Sequence, residues 1–220
     1  MNFFWFPLEH LPVIIVIMLI AFSVHEFAHA WTAWKFGDDT AYREGRVTLN
    51  PLSHLDWIGM LFLVIAGFGW AKPVPVRRSR FKKPRQMNIM VTAAGPISNL
   101  VLAFLILLVF YALASFNVFS GMSEDLFNNI MTFMHYWLNI NLALFLFNLL
   151  PIPPLDGYRI VEEFLPLKTR MIIQENSQWI TFGFLIIVLI PPLRNATIGQ
   201  LMHLKSPIME GMQRFLGFLF

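Results

Sequence analysis

The sequence predicts an all-α polytopic membrane protein, with a three-helix core, a re-entrant or extended segment, and one or more carboxy-terminal helices. Three observations carry that reading. Of 220 residues, 57% are hydrophobic and 13% charged, at a mean hydropathy of +0.61, whereas a soluble domain carries about 25% charged residues. Apolar runs long enough to cross roughly 30 Å of hydrocarbon recur along the chain. The cations are also segregated, ten of the sixteen Lys and Arg falling between Lys35 and Arg85, as the positive-inside rule requires of a cytoplasmic flank. Those cations are assigned to topology and lipid headgroups and not to nucleic acid, because no soluble face interleaves basic and aromatic residues. Without cysteine, neither disulfides nor thiolate ligands exist, so any metal must be held by His, Asp or Glu.

Residues 1–10 hold Phe3, Phe4, Trp5 and Phe6, side chains suited to a membrane interface. No Lys or Arg precedes Lys35, as the basic start of a signal peptide would need, so the first apolar run is expected to remain in the mature protein. The first helix is placed at about residues 11–34, roughly 36 Å long at 1.5 Å per residue. Its amino terminus should lie outside and its far end at the cytoplasm. Residues 57–70 are too few for a span and contain three glycines, which points to a re-entrant or interfacial segment. A crossing there would also export the seven cations from Lys72 to Arg85, against the charge rule. The following Lys72-Pro73-Val74-Pro75-Val76 alternates proline with β-branched residues, so an extended, edge-like stretch is expected, or a surface loop.

A second helix is placed at about 89–116 and a third at about 126–150. The small residues from Ala93 to Gly95 let neighbouring backbones approach closely, and the amides of the third helix, from Asn128 to Asn148, suit bridging between helices. Pro151, Pro153 and Pro154 then stop the helix, each lacking an amide donor. A last apolar run from Trp179 to Leu193 could span a thin bilayer, and residues 207–220 read as an interfacial tail. The division expected is a membrane-embedded core over 1–176 and a carboxy-terminal helix and tail over 177–220.

The chemistry is concentrated at His25-Glu26-Phe27-Ala28-His29. Residues four apart share one helix face, so both imidazoles can hold a single ion with Glu26 alongside to act on water. Zinc suits neutral imidazole, and its catalytic sites keep a fourth position for water. Glu26 is the single charged side chain between Leu11 and Trp34. An ionised group at that depth needs a partner or a water-filled pocket. The bland alternative is a polar patch that only joins helices. The topology brings Asp156 to the membrane depth of the two histidines. From the residues alone it is either a third ligand or the cap of a following helix. Glu162 and Glu163 are rivals placed in the cytoplasmic loop, and His54, also in a cytoplasmic loop, either approaches the site or, in the preferred reading, is a surface residue.

His25-Glu26-Phe27-Ala28-His29, Ala94-Gly95-Pro96-Ile97-Ser98-Asn99 and Asn148-Leu149-Leu150-Pro151-Ile152-Pro153-Pro154-Leu155-Asp156-Gly157 together resemble the site-2 protease family of intramembrane zinc metalloproteases. The likeness is to a small prokaryotic branch without PDZ or nucleotide-sensing domains. It implies one Zn²⁺ held by His25, His29 and Asp156, Glu26 as catalytic base, and Asn148 and Asn99 near the oxyanion or substrate. It further implies hydrolysis of a peptide bond in or near a transmembrane segment of another protein, in regulated intramembrane proteolysis. The active site would lie toward the cytoplasmic side of the cell membrane. A transporter or sensor using the same ligands is the alternative, although the repeated halves common in transporters are not visible.

Overall fold

The computed structural model describes residues 6–67 and 69–220. The first five residues of the expected aromatic anchor, and Phe68 of the re-entrant run, lie outside them. Helix α1, Leu11–Lys35, opens with Pro12 in its first turn and buries Ile14, Ile17, Ala21, Ala30 and Ala33 completely or nearly so. At its end Gly37, with φ of 99°, turns the chain into the short α2, Thr40–Arg43. Asp38 is fully buried in this turn. It accepts from the Thr40 amide at 3.1 Å, the Thr40 hydroxyl at 2.5 Å and the Arg77 amide at 2.5 Å, which ties the turn to a segment forty residues on.

The run at 57–70 does not cross. Asp56 caps α3, Trp57–Ala66, by accepting from the Gly59 amide at 2.8 Å. Gly67 then takes a left-handed φ of 68°, and the chain turns back along the helix. The return is so close that a Cβ on Gly59 would lie 2.1 Å from Trp70 O, and one on Gly69 2.3 Å from Gly59 O. Glycine is needed at both because backbone passes against backbone. The Lys72 amide donates to His54 O at 2.8 Å, so the hairpin leaves and returns at one place. Leu63 seats it against Ile14 and Met18 of α1. Ten residues of helix reach about 15 Å, half the hydrocarbon thickness, so the helix is too short to span it.

Helix α4, Pro84–Ser115, starts five residues before the expected boundary, because Pro84 at its first position brings a helical φ ready made. Helix α5, Glu124–Asn148, is capped by Ser123, which accepts from the Leu126 amide at 3.3 Å, and carries two acids in its first turn. With α1 these are the helices long and apolar enough to cross a membrane. The protein is accordingly an all-α polytopic membrane protein, with no strand among the described residues. The chain continues through α6, Asp156–Glu162, α7, Leu167–Glu175, and α8, Ser177–Leu189, the last two meeting at 65° as one bent span or re-entrant pair. Phe184 and Val188 of α8 pack with Leu155 and Ile198. Short α9, Pro191–Ala196, and α10, Ile198–Met202, lead to α11, Lys205–Leu219. The tail read as interfacial is docked on the core, with Leu216 fully buried against Ala103 and Leu107 of α4 and Leu138 and Leu142 of α5.

Candidate metal centre

His25 and His29 lie one turn apart on α1, with ring centroids 4.7 Å apart and Nε2 atoms at 3.0 Å. Asp156 Oδ2 stands 3.0 Å from the first Nε2 and 3.2 Å from the second. The other ring nitrogens decide the protonation. His29 Nδ1 lies 2.8 Å from Val91 O, a carbonyl that can only accept, so this nitrogen donates. Asn99 turns its Nδ2 to the carbonyl of Ala21 at 3.3 Å, which leaves Oδ1 to accept from His25 Nδ1 at 2.7 Å. Both neutral imidazoles therefore aim Nε2 lone pairs at one point, beside a carboxylate oxygen. Three acceptors facing one another without a donor repel, and a divalent cation is the group that reconciles them. Tetrahedral zinc with bonds of about 2.0–2.1 Å separates its ligand atoms by roughly 3.3 Å, close to the spacing here.

Helix α4 makes room for this. A Cβ on Gly95 would meet His29 Nε2 at 2.3 Å and His25 Nε2 at 2.6 Å, so the missing side chain is a cradle against the ligand atoms. The acid arrives by an equally close approach. After the prolines, with Pro153–Pro154 cis, α6 packs so tightly under α5 that a Cβ on Gly157 would lie 2.2 Å from Leu149 O. Asp156 is the first residue of α6, and no side chain caps that helix. Of its two possible roles the structure shows contact with the histidines and not a cap.

Glu26 is buried and its Oε2 accepts from the Val74 amide at 2.9 Å. Residues 71–77 form neither helix nor strand. Pro73 and Pro75 offer no amide hydrogen, so Val74 is the donor between them. The stretch is pinned from behind: Arg46 donates to Lys72 O at 2.6 Å, and Lys72 N is held by His54 O. His54 is not a surface residue as its loop position suggested; it is 1% exposed. Its Nε2 donates to Thr48 O at 2.8 Å, and burial lowers its pKa, so the ring is a neutral spacer under the strap.

These groups border one cavity of about 870 Å³, lined by His25, Glu26, His29, Asp156 and Asn148 with apolar neighbours such as Phe22, Phe147 and Phe184. Asn99, expected near the oxyanion or substrate, is instead fully buried behind His25, and also donates to Asn141 Oδ1 at 3.2 Å. The rival acids are engaged elsewhere. Glu163 pairs with Arg78 at 2.7 Å and Asn88 at 2.8 Å, and Glu162 with Gln174 at 2.7 Å. The contributions of Arg46 and the Val74 amide are not legible in the sequence, whereas Asn141 bridges helices as its amide suggests. A lone arginine before a turn and a backbone donor leave no pattern, and the two prolines flanking Val74 were the one available signal.

The model of peptidase family M50 matches residues 13–190. The chain is 41% identical over 221 residues to "Putative zinc metalloprotease YwhC" of Bacillus subtilis, covering 95% of this chain and 98% of that protein. It is 34% identical over 207 residues to "Putative zinc metalloprotease Rip2" of Mycolicibacterium smegmatis, covering 90% and 75%. Against "Putative zinc metalloprotease MJ0611" of Methanocaldococcus jannaschii it is 28% identical over 155 residues, covering 68% and 71%. No solved structure matches the chain.

Proposed function

This chain belongs to peptidase family M50, the site-2 protease family, and from that premise we propose that it is a zinc endopeptidase cleaving membrane proteins within or near a transmembrane segment, in regulated intramembrane proteolysis. The observation that carries the reading is the convergence of His25 Nε2, His29 Nε2 and Asp156 Oδ2 on one point in a cavity among apolar helices. Those three atoms would hold one zinc ion. When bound, the ion polarises the scissile carbonyl and lowers the pKa of a water toward about 7.

The protein's own groups supply the rest. Glu26 takes a proton from the attacking water on its carboxylate and returns it to the leaving amine. The Val74 amide holds Oε2, which fixes the carboxylate's direction and leaves Oε1 for the proton. Asn148, on the cavity wall, spends one amide hydrogen on Leu144 O at 3.0 Å, and its second is available to a tetrahedral oxyanion. Asn99 acts from behind by orienting His25. The apolar walls take a hydrophobic segment and exclude bulk water. The cation distribution supports an amino terminus outside the cell membrane and a site toward its cytoplasmic side.

Glu26→Gln tests the assignment with a single-span model substrate in detergent. Zinc content is expected to stay at the wild-type level while cleavage falls by orders of magnitude, through loss of the base. Cleavage retained in this variant would remove Glu26 from the mechanism.

A further inference from the structure

The cavity that holds the metal-ligating atoms also carries an ammonium group that hydrolysis does not use. Lys205 opens α11, and its Nζ donates to Asn139 Oδ1 at 3.2 Å. Both residues line the cavity together with His25, Glu26 and Asp156. Asn139 stands about 22 Å along α5 from its first residue and about 14 Å from its last, at 1.5 Å per residue. That is well inside a hydrocarbon slab of roughly 30 Å. It is also about 3 Å of helix rise from Asn141, whose amide joins Asn99 behind His25. The ammonium and the metal centre thus line one cavity.

Among the described residues Lys205 forms no ion pair. One amide oxygen occupies one of its three donors. A cation at this depth normally faces a counter-charge, because desolvation is otherwise uncompensated. The lining of the same cavity includes the apolar Val188, Ile198 and Met202. Such a site discriminates by what it leaves unpaired: a ligand bringing a carboxylate completes it, and an otherwise equal ligand without one does not.

We infer that Lys205, held in place by Asn139, is a specificity-determining residue that selects transmembrane segments carrying an Asp or Glu side chain near the bond to be cut. The inference rests on the proposed intramembrane hydrolysis. Its test therefore reads binding and not turnover, and a failure of either can be told from a failure of the other. The zinc-loaded Glu26→Gln chain in detergent micelles is titrated with fluorescent apolar peptides of about 20 residues. Each peptide carries a single Asp or, in its twin, a single Asn, walked through the central positions.

At one or two positions the Asp peptide should bind about tenfold tighter than its Asn twin, as a charge-assisted pair implies. In the same background Lys205→Arg should keep the preference and Lys205→Met should abolish it. Lys205→Glu should transfer it to a Lys-bearing peptide. Equal binding of Asp and Asn peptides at every position overturns the inference, as does a preference that survives Lys205→Met. A role limited to clasping α11 to α5 would lower the melting temperature of Lys205→Met and leave the preference where it was, which also overturns it.

Discussion

Replacing Gly95 by alanine adds one methyl group at the point where α4 touches both imidazoles. The new carbon would sit 2.3 Å from His29 Nε2, 2.5 Å from His29 Cε1 and 2.6 Å from His25 Nε2. Ordinary contact needs about 3.5 Å, so either α4 or the rings must shift by about 1.2 Å. Overpacking of this kind costs about 1–3 kcal/mol, because α1 and α4 are joined along their length and separate only as bodies. The metal suffers more than the fold, since ligand positions tolerate only about 0.2 Å. Zinc measured by elemental analysis of the purified protein should fall from one ion per chain toward none, and cleavage of a model substrate should fall with it. Gly183→Ala is the matched control: nothing lies within 4 Å of its added carbon, and a helical Gly→Ala change there should hold or raise stability by about 0.5–1 kcal/mol. Wild-type zinc affinity in Gly95→Ala would refute the cradle and, with it, the placement of the ion between the two Nε2 atoms.

Asn99→Ala removes the acceptor that fixes the His25 tautomer. Zinc affinity, measured by competition with a chelator, should weaken by about 10–100-fold, and an unchanged affinity would show that the ring is oriented without it. His54 gives a pH signature outside the membrane. Its pKa is lowered by burial, so the unfolded chain binds a proton that the folded one refuses, and stability declines as pH drops below about 6.5. His54→Gln can still donate to Thr48 O and does not titrate. Melting temperatures followed from pH 8 to pH 5 should therefore fall more steeply for the wild type than for the variant. Parallel curves would mean that His54 takes up its proton without cost.

Much of the candidate site was legible because it is local. Two histidines four residues apart on a helix must share a face, and an acid in an apolar run must find a partner. The prolines after Asn148 had to end α5, and the cations from Lys72 to Arg85 argued against a crossing at 57–70. The structure adds that this run doubles back on itself at Gly67, with Gly59 and Gly69 face to face. Less accessible were features in which one element matters only through what it lies against. His54 looked exposed because its loop is polar, yet Arg46 and the strap at Lys72 bury it. Asn99 carried the right chemistry for an oxyanion, but the α1–α4 packing turned its amide toward His25.

The sequence by itself determined the membrane class, the three crossing helices and the pairing of His25 with His29, since periodicity, apolar length and charge act along the chain. Only the tertiary structure decided that Asp156 meets those histidines instead of capping α6, and that Val74 holds Glu26. It also decided that Lys205, from the last helix, faces the same cavity. These contacts join residues about 50 to 130 positions apart, and their meeting depends on how whole helices pack. No local pattern encodes a distance between helices, and at Gly95 that distance is set by the absence of a single carbon.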